Sequence, residues 1–256
     1  MKKPILLIIS NDNYFQPSFV NDTCKIIKKT NYYVERIIIL KSIKKLTLQK
    51  YLIKNFFRLY PYEIFKLFLL KMNSKFINLF LKKKIKYFSI KKIIKKNKLK
   101  YVDGITVNEK YLYNLIKKKN YSFIINTGDQ IFSEKIIKIS KYKIFNIHLS
   151  LLPKYAGIWT MFQQISENEK NTGISLHKIN KNIDCGQLIV QKKFILDKKS
   201  SLFENQIKLY EYAPKIILKA IRKKFAFKKN LLREKIYKLP NKKDWIKFRL
   251  NYGKII

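Results

Sequence analysis

The chain has 256 residues, of which 47% are hydrophobic, and carries a formal net charge of +41. This length fits one domain, or one domain with an insertion, and the apolar fraction excludes wholesale disorder. The only two cysteines, Cys24 and Cys185, lie far apart, which excludes a disulfide framework and predicts no metal site.

The positive charge first suggests a partner that is a nucleic acid or another polyanion. However, nearly all of the 57 basic residues are lysines, whereas base readout and bidentate phosphate contacts favour arginine. The lysines are spread among isoleucine, asparagine, tyrosine and phenylalanine, a mixture that an AT-rich genome would encode. We therefore favour composition over selected polyanion binding, and a nucleic acid is the less favoured partner. An anionic substrate or a membrane surface would still be attracted.

The N-terminus imitates a secretory signal, because two lysines precede an apolar run at residues 5–9. That run is shorter than the roughly 7–15 apolar residues of a signal peptide, and polar residues follow it at once. No run in the sequence approaches the ~20 apolar residues that cross a bilayer. The pattern predicts a buried first strand, no transmembrane segment and a cytoplasmic protein.

The first forty residues predict a strand at 5–9, a helix at 18–29 and a strand at 33–40. A strand-helix-strand opening is typical of an α/β sheet with right-handed crossovers. The first strand-to-helix turn, residues 11–14, contains no glycine, so it is not a dinucleotide-binding fingerprint.

Residues 42–98 interrupt this alternation as a lysine-rich insertion without glycine. Apolar residues recur there at spacings of mostly three and four, which predicts amphipathic helices; they are Ile64, Phe65, Phe68, Leu69, Met72, Phe76, Leu79 and Phe80. We favour a helical hairpin packed on the domain. The alternative is a basic insertion that binds a membrane surface or a partner.

The alternation resumes after the insertion. Further strands are predicted at 121–126, 143–147, 173–179 and 188–194, and helices at 111–119, 134–140 and 201–224. The last helix contains Pro214, which predicts a kink or a break. The resulting organisation is a domain at 1–225 and a C-terminal tail at 226–256. The tail could wrap back onto the domain and shows no chemistry of its own.

Three residues carry candidate chemistry. Asn146 and His148 lie on one side at the end of a strand, because side chains alternate with period two. Ligands of open α/β sheets bind beyond such strand ends. Asp184, on a later loop, could accept a hydrogen bond from the imidazole and favour its charged form. With Asn146 donating to a developing oxyanion, the three groups suit addition to a carbonyl followed by proton transfer.

Each of these residues also has a structural explanation. Asn146 could cap a turn, His148 could be a satisfied buried histidine, and Asp184 could form an Asx-turn before Gly186. A longer pattern decides between the two interpretations. It runs Asn146-x-His148-x-Ser-Leu-Leu-Pro-x-Tyr-x-Gly157, then Thr-Gly-Ile-Ser-Leu-His at 172–177, then Asp184-x-Gly186. In this order it resembles the amine formyltransferase family, whose members use formyl-tetrahydrofolate.

The resemblance implies a Rossmann-like α/β sheet with flanking helices, in which Asn146, His148 and Asp184 are catalytic. An acceptor amine would attack the formyl carbon while Asn146 and His148 stabilise the oxyanion. Asp184 would maintain the charge of the histidine and help proton transfer. His177 and Ser150 are expected in supporting positions.

The co-substrate 10-formyltetrahydrofolate would be held, without a metal, largely by backbone groups of two loops, 127–132 and 180–184. The residues implied are Thr127, Gly128, Gln130, Ile131, Phe132, Asn180, Lys181 and Ile183.

Departures from the family pattern narrow the acceptor. Leu149 replaces a common proline, which should change loop stiffness more than chemistry. Ala156 stands where methionyl-tRNA enzymes often have arginine, and the N-terminal loop lacks the glycine-rich turn of glycinamide ribonucleotide enzymes. We therefore expect a small-molecule amine, that of an anionic nucleotide-linked amino sugar.

Five alternatives stay open: a methionyl-tRNA formyltransferase, a glycinamide ribonucleotide formyltransferase, a formyltetrahydrofolate hydrolase, a degenerate formyltransferase that binds folate without turnover, and a non-enzymatic polyanion-binding protein. The sequence does not predict the oligomeric state.

Overall fold

The centre of the fold is a mixed seven-stranded sheet. A computed structural model describes residues 2–42, 55–72, 77–82, 84–232 and 235–256. The strands found there are β1 (Lys3–Ile9), β2 (Tyr32–Leu40), β3 (Lys100–Ile105), β4 (Phe123–Asn126), β5 (Ile144–His148), β6 (Ala156–Gly157), β7 (Asn171–Lys178), β8 (Leu188–Ile195) and β9 (Ile236–Tyr237). The large sheet has the order β3-β2-β1-β4-β5-β7-β8, and β6 pairs separately with β9.

The sheet changes direction beside β5. Strands β1 to β5 are parallel to their neighbours, in the doubly wound order 3-2-1-4-5. Strands β7 and β8 then add in antiparallel orientation. The predicted α/β fold and the two strands that flank the Asp184 loop are therefore confirmed. Strand β3 escaped prediction because it is a largely exposed edge strand without a clear apolar pattern.

Helices cover the sheet on both faces. They are α1 (Gln16–Ile27), α2 (Pro61–Met72), α3 (Ile77–Phe80), α4 (Ile90–Lys96), α5 (Lys110–Lys119), α6 (Glu134–Ile139), α7 (Thr160–Ser166), α8 (Leu202–Arg222) and α9 (Lys242–Leu250), with a short 3-10 turn at Phe56–Arg58. The predicted helices at 18–29, 111–119, 134–140 and 201–224 are confirmed as α1, α5, α6 and α8, with slightly shifted ends.

The apolar run of β1 is buried on both sides, which explains why it does not alternate with polar residues. Ile5, Leu7 and Ile9 face the core that contains α1 and α8. Leu6 and Ile8 face the smaller core formed with α5 and α6. Each fully buried side chain of this size contributes about 1.5–3 kcal/mol, so β1 anchors both layers.

The described part of the predicted insertion is helical, and α2 packs on the domain through Ile64 and Leu67. Phe65 and Phe68 share the helical apolar spacing but do not belong to the buried face, because both are more than half exposed. The inward position is taken by Glu63, which is fully buried.

Two of the insertion residues named above, Leu79 and Phe80, are also exposed. Phe76 and the side chain of Met72 lie outside the described residues. No helix in the described part of the chain combines the length and apolarity needed to span a bilayer.

Helix α8 continues through Pro214 without the break that was considered, although a proline removes one helical hydrogen bond. Its buried face supplies the compensation, because Pro214 itself and nine other residues of the helix are buried. A capping box formed by Ser201 and Glu204 fixes the start of the helix.

The C-terminal residues wrap back onto the domain. Trp245 and Phe248 of α9 are buried and pack against Phe162 of α7. The ring centroid of Phe162 lies 4.9 Å from that of Trp245 and 4.2 Å from that of Phe248. The division of the chain at residue 225 stays a prediction. Neither α7 nor α9 was predicted, although a capping box of Asn241 and Asp244 marks the start of α9.

A buried ion pair fastens the tail to α2. The Arg249 guanidinium donates to both carboxylate oxygens of Glu63, at 2.6 and 3.2 Å. The same carboxylate accepts the backbone N–H groups of Tyr60 at 2.9 Å and Ile255 at 2.7 Å. Four donors therefore meet one carboxylate that has no exposed surface.

Candidate active site

Two asparagines lie side by side on neighbouring parallel strands near the carboxyl edge of the sheet. Asn126 closes β4 and lies in register with Asn146 on β5. The Asn126 amide nitrogen donates to Asn146 Oδ1 at 2.8 Å and to the Gly128 carbonyl at 3.0 Å. Because Asn126 occupies that oxygen, the Asn146 amide nitrogen faces the centre of the site. It lies 3.3 Å from His177 Nε2 and 3.5 Å from Asp184 Oδ1.

Asp184 reaches the same place from the loop between β7 and β8. Its backbone is left-handed, with φ of 49°, a conformation that costs a non-glycine residue roughly 1–3 kcal/mol and is concentrated at functional sites. Two residues later the chain crosses β7 so closely that a Cβ on Gly186 would lie 1.6 Å from the Lys178 carbonyl oxygen. Only glycine fits this crossing, which directs the Asp184 carboxylate toward the ends of β5 and β7.

Besides the Asn146 amide nitrogen, three further groups surround the Asp184 carboxylate. Oδ2 accepts the Gly157 N–H at 2.8 Å and lies 3.5 Å from His148 Nδ1. Oδ1 lies 3.3 Å from His177 Nε2. Burial alone would raise the pKa of Asp184, but His148, His177 and the Gly157 N–H together hold that pKa below its ordinary range. The site therefore contains a fixed negative charge at neutral pH.

His148 is buried at the end of β5. Its Nε2 lies 2.8 Å from the Tyr155 carbonyl oxygen, and since a carbonyl only accepts, this nitrogen carries a proton. Its Nδ1 faces Asp184, as the sequence predicted. Both ring nitrogens thus face oxygen acceptors, an arrangement that orients the ring and can accommodate protons on both nitrogens.

His177 lies closer to the centre than a supporting role implies. It is opposite Asn146 in the antiparallel pairing of β5 with β7, and it is buried. Its Nε2 faces two different neighbours, the Asn146 amide nitrogen and Asp184 Oδ1. A proton on Nε2 would be donated to Asp184, whereas a lone pair there would accept from Asn146. His177 Nε2 can therefore form a hydrogen bond with Asp184 or with Asn146, but not with both at once.

Ser150, the other supporting residue, shapes the turn that follows β5. Its hydroxyl donates to the Lys154 carbonyl at 2.8 Å and lies 3.4 Å from the Tyr155 carbonyl oxygen. The Leu152–Pro153 peptide within this turn is cis. The Tyr155 hydroxyl donates to Glu169 at 3.0 Å. Ser150 thus fixes the carbonyl that receives His148.

The loop at 127–132 follows Asn126 directly and so begins beside the three predicted catalytic groups. The Thr127 hydroxyl donates to a buried glutamine, and the side-chain amide of Gln130 is bonded to backbone groups on either side of it. Gly128 packs against β2, and Phe132 is buried in the smaller core. Ile131 is different, because it is 66% exposed. The loop therefore offers a ligand its backbone and one apolar side chain.

The loop at 180–184 is braced internally. The Asn180 side chain accepts the Asn182 N–H at 3.0 Å and donates to the Cys185 carbonyl at 3.3 Å. Lys181 is exposed and Ile183 is half-buried. The first loop follows the carboxyl end of β4 and the second leads from β7 to Asp184, and the role of both loops in folate binding stays a prediction.

Sequence reasoning missed three groups that hold the centre: the Asn126 amide, the Tyr155 carbonyl and the Gly157 N–H. A signal existed for Asn126, because it is a polar residue that ends an otherwise apolar strand next to the one that carries Asn146. The other two are backbone groups, which no side-chain pattern reveals.

Comparison with known proteins assigns this arrangement to a class. Residues 84–221, just over half of the chain and including Asn146, His148 and Asp184, match the family model described as formyl transferase. The chain belongs to the formyl transferase family, whose members are enzymes that transfer a formyl group.

One relative by sequence is the methionyl-tRNA formyltransferase of Prochlorococcus marinus, 29% identical over 134 residues. The match covers 52% of this chain and 40% of that protein, so the chain spans less than half the length of this relative.

Solved structures share the fold along most of the chain. Phosphoribosylglycinamide formyltransferase from Bacillus halodurans superposes with a TM-score of 0.60 at 15% identity, covering 87% of this chain and 95% of that one. WlaRD, a sugar 3N-formyl transferase crystallised with dTDP and 5-N-formyl-THF, gives a TM-score of 0.58 at 21% identity. It covers 98% of this chain and 82% of the other.

Proposed function

We propose that this protein transfers the formyl group of 10-formyltetrahydrofolate to the primary amine of a nucleotide-linked amino sugar. The observation that carries the proposal is the convergence of Asn146, His148 and Asp184 at one point of the sheet edge, within 3.5 Å of one another through Asp184. Family membership fixes the reaction class, and these three residues supply the groups that the reaction needs.

Asn146 provides the donor for the oxygen that gains negative charge when an amine adds to the formyl carbon. Its amide nitrogen is already directed inward, because Asn126 occupies the amide oxygen. Its present contacts of 3.3 and 3.5 Å are long. Catalytic hydrogen bonds are often long before substrate binds and shorten afterwards, so this donor can turn to the substrate.

His148 and Asp184 manage charge and protons. The carboxylate stays ionised, and it lies beside His148 Nδ1, where it helps to orient the imidazole ring. Asp184 is also the nearest fixed base for a proton that leaves the attacking amine, directly or through water. The low exposure of both side chains, 8% and 11%, strengthens these interactions by excluding solvent.

The residues present fit the proposed co-substrate. When bound, 10-formyltetrahydrofolate supplies the activated formyl carbon. The loops 127–132 and 180–184 would hold it through backbone groups, with Ile131 as an apolar contact. Ile131 is the exposed apolar residue of the first loop. Its side chain is therefore the one that can pack against the flat pterin ring.

The nature of Ala156 supports an amino-sugar acceptor over a tRNA. Ala156 is buried against Leu152, Leu188 and Leu231. An arginine at this position, as in methionyl-tRNA enzymes, would have to displace that cluster. The packing around residue 156 therefore accommodates alanine and not arginine. A sugar acceptor also agrees with the fold shared with a sugar formyltransferase, over 98% of this chain and 82% of that one.

The experiment is tetrahydrofolate release from 10-formyltetrahydrofolate with a panel of amines: dTDP-linked 3- and 4-amino sugars, a UDP-linked amino sugar, methionyl-tRNA and glycinamide ribonucleotide. The His148→Ala variant is the control for chemistry at the site. Release that depends on an amino sugar and disappears in the variant supports the proposal.

The other outcomes contradict it in distinct ways. Release that depends on methionyl-tRNA or glycinamide ribonucleotide would retain the formyltransferase and replace the acceptor. Release without any amine would indicate a hydrolase. Binding of tRNA without release would favour the polyanion-binding alternative.

A further inference from the structure

The backbone of one short segment holds both catalytic partners. The Tyr155 carbonyl receives His148 Nε2 at 2.8 Å, and the Gly157 N–H donates to Asp184 Oδ2 at 2.8 Å. These are shorter than the 3.5 Å between His148 Nδ1 and Asp184 Oδ2 themselves. The relative position of the pair is therefore set by residues 155–157 more than by their direct contact.

This segment is held in turn by the C-terminal tail. Strand β9 runs parallel to β6, with Ala156 opposite Ile236 and Gly157 opposite Tyr237. The Ile158 N–H donates to the Tyr237 carbonyl at 3.1 Å. Among the described residues, β9 is the only strand that pairs with β6.

Side chains reinforce this pairing on both faces. The rings of Tyr155 and Tyr237 stack with centroids 5.2 Å apart and an angle of 27°. On the other side Ile236 packs against the buried cluster that includes Ala156. The fit is close, since a Cβ on Gly157 would lie 2.2 Å from the Tyr237 carbonyl oxygen.

We infer that β9 is a positioning element for catalysis: Ile236 and Tyr237 fix residues 155–157 so that the Tyr155 carbonyl and the Gly157 N–H hold His148 and Asp184 in reacting geometry. The inference rests on the proposed function, in which those two residues do the chemistry. Neither Ile236 nor Tyr237 is a catalytic residue, because each acts through the backbone of its neighbour strand.

The test compares Tyr237→Ala with two controls. Tyr237→Phe keeps the stacked ring, and Tyr252→Ala makes the same truncation at a tail tyrosine whose side chain is 83% exposed. Misplacement of reacting groups by about 1 Å can reduce turnover about 100-fold. We expect kcat to fall about 10- to 100-fold in Tyr237→Ala, with KM within about twofold of wild type. Both controls should retain wild-type kcat.

A second readout does not require turnover. The chain has two histidines, so the imidazole ¹⁵N resonances form two sets, which the His177→Ala variant assigns. In Tyr237→Ala the His148 resonances should shift while the Tm stays close to wild type, and the controls should leave them in place. Ile236→Val, a one-carbon truncation, gives a milder version of the test if Tyr237→Ala does not fold.

The two readouts separate the inference from the function on which it rests. If wild-type protein shows no formyl transfer, the proposed function fails, and the His148 resonances still decide whether β9 positions the ring. If transfer occurs but neither kcat nor those resonances respond to Tyr237→Ala, the inference is overturned and the proposed function stands.

Discussion

Asp184 and Glu63 are both carboxylates with little or no exposure to solvent, yet their surroundings differ in kind. Glu63 is bonded to an arginine at 2.6 and 3.2 Å and to two backbone N–H groups. Asp184 has one short backbone bond and two histidines at 3.3 and 3.5 Å. Arginine keeps its proton at all working pH values, whereas histidine exchanges it near neutrality. Short hydrogen bonds to a permanent cation stabilise the fold. Longer contacts with titratable imidazole rings allow protons to move during a reaction.

The largest effect predicted from this comparison of Asp184 with Glu63 is on turnover. His148→Ala and Asp184→Asn should each lower kcat by about 10²–10⁴-fold, the range for groups that transfer protons or stabilise charge in the transition state. The loss of Tm should be small beside the loss of turnover, because the direct contact between His148 and Asp184 is long, at 3.5 Å. Single-turnover kinetics with 10-formyltetrahydrofolate and calorimetry measure the two quantities.

Asp197→Asn is the matched control, because Asp197 lies in an exposed loop outside the site. Substantial loss of stability with retained turnover in His148→Ala would show that this pair resembles Glu63 and Arg249 after all.

The second effect is on stability. Glu63→Gln removes the partner of a largely buried guanidinium, and breaking a buried ion pair costs about 3–5 kcal/mol because a charge is left uncompensated. Urea unfolding at pH 7 measures the loss. Glu134→Gln is the control, since that glutamate pairs with Lys138 on the surface and should show no measurable change. Turnover per folded molecule should stay at the wild-type level in Glu63→Gln, and a loss of kcat without a loss of stability would contradict the assignment.

The third effect appears in acid. The pKa of Asp184 in the folded protein lies below its ordinary value of 3.8. The unfolded chain therefore takes up this proton first as the pH falls, and the stabilisation present above the unfolded pKa is lost on acidification. The free energy of unfolding of wild type should drop more steeply below about pH 5 than that of Asp184→Asn. Equal slopes would show that the two histidines do not stabilise the carboxylate.

The smallest effect concerns a third carboxylate, Asp12, at the end of β1. Burial raises its pKa from 3.8 to about 6, although the N–H groups of Tyr14 and Phe15 oppose the shift. Here the folded protein holds a proton that the unfolded chain has released, so wild-type stability should fall as the pH rises from 4 to 6. Asp12→Asn should lack this fall and be the more stable protein at pH 7. Urea midpoints at both pH values check the sign, and a steeper fall in the variant would contradict it.

The sequence could predict the centre of the site because elementary geometry places it. Residues two apart on a strand share a side, and neighbouring parallel strands end at one edge, so Asn146 and His148 had to face the same cleft. The Asp184 loop was identified by order and spacing. The sequence could not reveal that Tyr155 and Gly157 act through their backbones, because every residue has a carbonyl and every residue except proline has an N–H group.

The tail and the insertion show a different reason for missed features. Glu63 and Arg249 are separated by 186 positions, and no local periodicity links residues so far apart. In the insertion, the exposed Phe65 and Phe68 occupy the spacing of a buried face, so hydrophobicity alone pointed to the wrong side of α2. Glu63 can be buried because it pairs with Arg249, which is far away in the sequence.

The aromatic cluster between α7 and α9 gives the protein an intrinsic fluorescence probe. The chain has two tryptophans, and both lie against Phe162: Trp159 with a centroid distance of 5.9 Å and Trp245 with 4.9 Å. Trp159 stands two residues beyond Gly157, and Trp245 belongs to the tail. All of the tryptophan emission therefore originates at the junction where the tail meets the segment beside the reacting groups. Detachment of the tail would expose Trp245, which is buried, and remove it from Phe162, so the tryptophan emission should shift to longer wavelength when the tail leaves the domain.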